Sequence, residues 1–205
     1  MKAVLAVFLA CMIFAVPGTA AENLQGYAFH QAMAEADLPP FYSEVEDDLG
    51  LSPEQQKHIN SQRKRLALYI DQWSVLEAHE EDYRNITASL TLAQRTRLEE
   101  IRIQHKGPLY SLIRPSVQKK LGIATDQAES IQSLFMDFWT RTGKIPDKDS
   151  KGNYIWKEHH AAVDQLKAEY GEKAMKILGS DQKTRLPELA GPVLSPEPKY
   201  WRNTR

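Results

Sequence analysis

The sequence predicts an all-α protein, and three observations carry that expectation. Apolar residues recur at three- and four-residue intervals, no segment alternates like a strand for long, and a helix-start phrase is written four times. "LTLAQRTRL" at residues 90 to 98 is echoed by "LGSDQKTRL" at 178 to 186, and "LGLSPEQQ" at 49 to 56 aligns without gaps on "LGIATDQA" at 121 to 128. The order A, B, A, B predicts internally duplicated helical hairpins, four capped helix starts in all, arranged as an elongated bundle or cradle.

Residues 1–21 read as a signal peptide. Lys2 supplies the charge, residues 3–16 the apolar run, and Gly18, Thr19 and Ala20 a small-residue cleavage site. The run is shorter than the roughly 20 apolar residues a membrane span requires, so cleavage and a periplasmic or secreted destination are expected, without stable membrane insertion. Cys11 is the sole cysteine, so disulfides contribute nothing and stability must come from packing.

Residues 22–48 form an acidic arm, with Glu22, Glu35, Asp37, Glu44, Glu46, Asp47 and Asp48 and no Lys or Arg. A solvated leader is the plain reading; an arm folded back on the mildly basic remainder is the sharper one. The whole chain has a formal net charge of −1, which gives no reason to expect nucleic acid.

The first helical half is read over 49–106. One long amphipathic helix is expected from Ile59 through Leu66, Tyr69, Ile70, Trp73 and Leu76, and a shorter one through Leu98, Ile101 and Ile103, ended by "HKGP" at 105–108. Residues 107–120 read as a connector of two short helical turns broken at Pro115. The second half, 121–190, carries one stripe through Ile131, Leu134, Phe135, Phe138 and Trp139 and another through Val163, Leu166, Tyr170, Ala174 and Ile177. Between them 142–153, rich in Gly, Pro and Asp, reads as an inserted loop. Residues 191–205 are a tail.

The repeated phrase is what a helix start requires. A hydroxyl at the N-cap accepts from the N3 amide, and Gln at N3 accepts from the cap amide in return. Ser52 with Gln55 and Thr91 with Gln94 satisfy both halves, and Pro53 suits the first helical position. Gln127 and Gln182 keep their places, but Ala124 and Gly179 stand where the hydroxyls should be. Leu51, Leu90, Ile123 and Leu178 lead each copy into the core. The basic residues that follow, Arg95, Arg97, Lys183 and Arg185, are not needed for capping and are read as surface charge, salt-bridge partners or contacts for another protein.

These motifs make the chain resemble the LTxxQ-motif family of bacterial periplasmic proteins, the Spy and CpxP type. "LTLAQRTRLEEI" is a full match, "LSPEQQ" has Ser for Thr, and "IATDQ" and "LGSDQ" are degraded copies. The resemblance covers residues 49 to 190. It implies a bent helical hairpin, a dimeric cradle, and a role in envelope stress as an ATP-independent chaperone, a modulator of a sensor kinase or a metal-responsive sensor. Such proteins usually carry two motifs per chain. Four here imply a monomer that imitates the family's dimer, with a homodimer as the alternative.

The expected function is therefore binding of unfolded or envelope proteins, with no enzyme activity and no cofactor. Regulation of one dedicated partner, or metal sensing, is the alternative. Client binding needs aromatic anchors beside positive charge, and the candidates are Arg63, Arg65, Trp73, Arg97, Phe135 and Trp139. The imidazoles of His30, His58, His79, His105, His159 and His160 include no pair at the i, i+4 spacing that suits a metal, so no ligand set is assigned. The sequence holds no glycine-rich phosphate loop or nucleophile elbow.

Overall fold

Each A motif begins where a short helix has just been stopped by glycine. Gly50 and Gly122 adopt φ of 57° and 64°, the left-handed conformation that only glycine takes without strain. Gly50 N–H donates to Asp47 O and Leu51 N–H to Glu46 O; Gly122 N–H donates to Lys119 O and Ile123 N–H to Gln118 O. The two turns thus share one hydrogen-bond pattern, and each reverses the chain into the next helix.

The computed structural model describes residues 27–34, 43–63 and 72–194, and these residues are all-α apart from a single isolated bridge between Lys148 and Tyr154. The helices are α1 (27–34), α2 (Ser43–Leu49), α3 (Pro53–Arg63), α4 (Gln72–Ser89), α5 (Leu92–Leu112), α6 (Pro115–Leu121), α7 (Thr125–Thr142), α8 (Trp156–Ile177) and α9 (Ser180–Ala190). The series α2 to α5 and the series α6 to α9 have the same plan: a short helix, a glycine stop, an A-motif helix, a returning helix and a B-motif helix. None of the described helices is long and apolar enough to cross a membrane. The signal peptide, Arg65, residues 22–26 and 35–42 of the acidic arm, and residues 195–205 of the tail lie outside the described residues.

Two apolar cores match the two series. The first gathers Val45, Leu49, Leu51, Ile59, Ile86, Leu90, Leu98, Ile101 and Leu194. The second is larger and more aromatic, with Phe135, Phe138, Tyr170, Ile131, Leu121 and Leu178 beside Leu109, Leu112 and Tyr27. Helix α5 belongs to both. Its first three turns face the first core; Gly107, at φ 73° and ψ 178°, breaks the helical ladder, and Pro108 restarts it toward the second. The stop expected at 105–108 is therefore a bend inside one element, because a proline suits a helix's first position as well as it suits a terminator.

Other expectations shift in the same way. The described parts of the helix expected from Ile59 through Leu76 fall on two helices: α3 and α4 lie antiparallel, with Gln55 bonded to Ser89 O and Asn85 to Gln62, while Leu66, Tyr69 and Ile70 lie outside the described residues. A stripe at helical spacing can continue on either arm of a hairpin, so periodicity alone did not reveal the reversal. Residues 115–120, read as the second helical turn of the connector, form with Leu121 the helix α6, which occupies in the second series the place of α2 in the first. The acidic arm also contributes to the cores, through Val45 in one and Tyr27 in the other.

A charged cluster ties the junction together. Arg102 and Arg114, both nearly fully buried, bond to the two oxygens of Glu99, and Tyr83 donates to it from α4. Arg102 also reaches Ala34 O on α1 and lies 4.9 Å from the Tyr83 ring centre. Burial raises the Glu99 carboxyl pKa, but the two guanidiniums outweigh it and hold the group below its ordinary value. The carboxylate is thus ionised and shared by three elements.

Candidate functional site

The four glutamines do more than cap. In each, Oε1 accepts from the cap amide: Ser52, Thr91, Ala124 and Gly179 donate at 2.9, 2.9, 3.1 and 2.9 Å. That leaves Nε2 free to cross to the other motif of the same series. Gln55 donates to Ser89 O at 2.8 Å and Gln127 to Ile177 O at 2.9 Å, both five residues before the facing glutamine. In return Gln94 donates to Gly50 O at 3.2 Å and Gln182 to Gly122 O at 3.1 Å, again five residues before. The paired amides also meet, Gln55 with Gln94 at 3.0 Å and Gln127 with Gln182 at 2.8 Å. Each A motif is thus latched to its B motif.

The basic residue three positions after each B glutamine completes the latch. Arg185 donates to Leu121 O at 2.7 Å, at the end of α6, where the helix leaves its carbonyls unsatisfied and its dipole is negative. Arg97 sits at the equivalent place and bonds to Asp48 at the end of α2, to Glu100, and to Pro192 O. These arginines are engaged within the fold. Hydroxyl capping is present at Ser52 and Thr91, whose oxygens accept from the Gln55 and Gln94 amides, and absent at Ala124 and Gly179. Leu51, Leu90 and Leu178 are buried, and Ile123 packs against the second core.

With the motifs committed to architecture, a site for another molecule must be sought on the surface. Of the residues nominated from the sequence, Phe135 is fully buried and Arg97 is held as above, so neither offers itself to a client in this fold. Trp139 is 45% exposed, with one side against His30 at a ring separation of 4.2 Å. Arg63 and Trp73 fall within α3 and α4, but their side chains, like Arg65 as a whole, lie outside the described residues.

The residues that sequence reasoning missed sit where α7 and α8 are joined. Tyr154 and Trp156 are 56% and 54% exposed, and their rings are stacked, 4.8 Å apart and 5° from parallel. Lys148 lies 4.6 Å from the Tyr154 ring centre. The loop beneath is built rather than slack. One Asp149 oxygen accepts from the amides of Lys151 and Asn153 and the other from the Asn153 side chain, while Ile155 N–H donates to Asp147 O. These bonds hold the Asp149 carboxyl below its ordinary pKa, the Asn153 side chain contributing most. His159, bonded to Pro146 O, and His160 flank Trp156 edge-on. The signal available in the sequence was the "NYIW" that closes the inserted loop: two aromatics at a loop margin, off both apolar stripes.

Among the described residues no group of three or more His, Cys, Asp and Glu side chains is placed to hold a metal. Comparison with family models, with curated proteins and with solved structures finds no match. What the geometry defines is an all-α scaffold, latched at both ends of its plan, that presents ordered aromatic side chains beside positive charge.

Proposed function

We propose that the protein is an exported, ATP-independent holdase that binds unfolding proteins in the bacterial envelope, its two latched series giving one chain the cradle that two chains supply in the LTxxQ-motif proteins it resembles. The observation that carries this reading is the exposure of Trp139, Tyr154 and Trp156 toward the loop end of the α7 and α8 pair, with Lys148 over the Tyr154 ring. Large aromatics left half in water by an otherwise well-packed core favour a contact surface over a structural role. Their loop is already ordered by Asp149, so little conformational entropy remains to be lost when a client docks.

The test is light scattering from a chemically unfolding reporter protein, without ATP, at several ratios of the intact chain. Suppression near equimolar ratio, reduced several-fold by the double substitution Tyr154→Ala and Trp156→Ala, is expected. No suppression by the intact chain overturns the holdase reading and moves the assignment to an adaptor for one dedicated envelope protein. Suppression unchanged by the double substitution removes the aromatic pair from the site.

A further inference from the structure

Helix α1 is seated on the second core by one narrow face. Its sequence, "YAFHQAMA", holds no Asp, Glu, Lys or Arg, and Tyr27 is its one buried residue, the others being half-buried or exposed. Tyr27, His30, Gln31 and Ala34 fall on one side of the helix and make its contacts. The Tyr27 ring meets Phe135 edge-on at 6.2 Å, and His30 lies 5.4 Å from Phe135 and 4.2 Å from Trp139. Gln31 Nε2 donates to Ile113 O at 3.0 Å, and Ala34 O accepts from Arg102.

Two observations make this seat a weak one. His30 is a polar ring set among Phe29, Phe135 and Trp139, and burial alone lowers its pKa, the mark of an imidazole that loses water without gaining a charged partner. The groove is also wider than its occupant: between α1, α6 and α7 a cleft of about 340 Å³ remains, bounded by Tyr27 and Gln31 on one side and by Gln118, Ala128 and Gln132 on the other. So short a helix is unstable alone, so α1 keeps its form only while docked. Undocking bares the covered sides of Phe135 and Trp139.

We propose that α1 is an exchangeable plug, holding in cis a groove on α7 that also accepts an uncharged amphipathic helix of another protein. An apolar helix face laid into an apolar groove is a common mode of peptide recognition. The pattern the groove takes is the one α1 displays: an aromatic residue first, polar or aromatic residues one turn on, and a small residue two turns on. A plug of this kind keeps a large aromatic surface covered until a competitor arrives. The inference rests on the reading of Trp139 as a contact residue, and adds how that surface is regulated.

Hydrogen exchange of the intact chain, at urea concentrations below the unfolding transition, is the first test. The amides of residues 31–34 should exchange at least about a hundredfold faster than those in the middle of α7, at rates that urea barely changes. Exchange of these amides only through global unfolding would make α1 a fixed helix and overturn the proposal. A fluorescent peptide of residues 25–36, followed by anisotropy, is the second. Tyr27→Ala in the chain should let the peptide bind saturably and at least tenfold more tightly than to the unaltered chain, because the competing helix in cis is weakened. Adding Trp139→Ala should reverse that gain. Absent binding, equal affinity for both chains, or indifference to Trp139→Ala would refute the plug, as would loss of the helical circular dichroism in Tyr27→Ala, since removing a plug leaves the rest folded. Suppressed aggregation without exchange would sink the plug and leave the holdase reading; exchange without suppression would do the reverse.

Discussion

The first and second motif pairs perform one task with different means. At Ser52 and Thr91 the hydroxyl and the glutamine cap reciprocally, whereas at Ala124 and Gly179 only the glutamine half remains. Yet all four glutamines make the same crossed bonds to the facing motif, and Arg97 and Arg185 both close over the end of a preceding short helix. The indispensable part of the phrase is therefore the latch between motifs, and the hydroxyl is a local supplement. The second series is compensated by a larger aromatic core, in which Phe135 packs against Tyr27, Tyr110, Phe138 and Trp139.

The largest expected effect falls on what joins the two series. Glu99→Gln leaves two buried guanidiniums without their carboxylate and should destabilise the protein by about 3 kcal/mol, read from urea denaturation. The same group sets an acid limb. Its pKa is depressed in the folded state, so its contribution is complete above the ordinary carboxyl value, about 4.3, and is lost as pH falls from there through the native value. Denaturation midpoints from pH 7 down to pH 3 should fall more steeply for the natural protein than for Glu99→Gln. Parallel curves would show that this carboxylate is not linked to folding.

A latch glutamine comes next. Gln182→Ala removes the cap bond of α9, the bond to Gly122 O and the pairing with Gln127, and should cost about 2 kcal/mol, as orphaned polar groups do. Gln94→Ala should cost a similar amount in the first series. A double-mutant cycle on Gln127 and Gln182 should give a coupling near 1 kcal/mol; additivity would mean that the two amides do not interact in solution.

The smallest effects sharpen the comparison itself. Thr91→Ala should lose about 1 kcal/mol, and Ala124→Ser should recover about as much by restoring a hydroxyl the second series lacks. Gly179→Ser should gain only a few tenths of a kcal/mol, since glycine is already a tolerable cap. Thermal unfolding of the three variants gives the ranking, and a loss on Ala124→Ser would show that the second turn cannot place the hydroxyl.

Helix starts and apolar stripes were legible in the sequence because each is decided within one or two turns of chain. Thr91 with Gln94 is a cap wherever it folds, and Phe135 with Phe138 lies on one face of any helix that contains them. The A, B, A, B order was legible for the same reason. Tertiary structure alone decided which carbonyl each Gln Nε2 would reach, for the paired glutamines stand 39 and 55 residues apart. It also turned Arg97 and Arg185 inward, set α3 and α4 antiparallel, and left Tyr154 and Trp156 half in water. Long polar side chains have many reachable partners, and only the packing of distant segments selects among them.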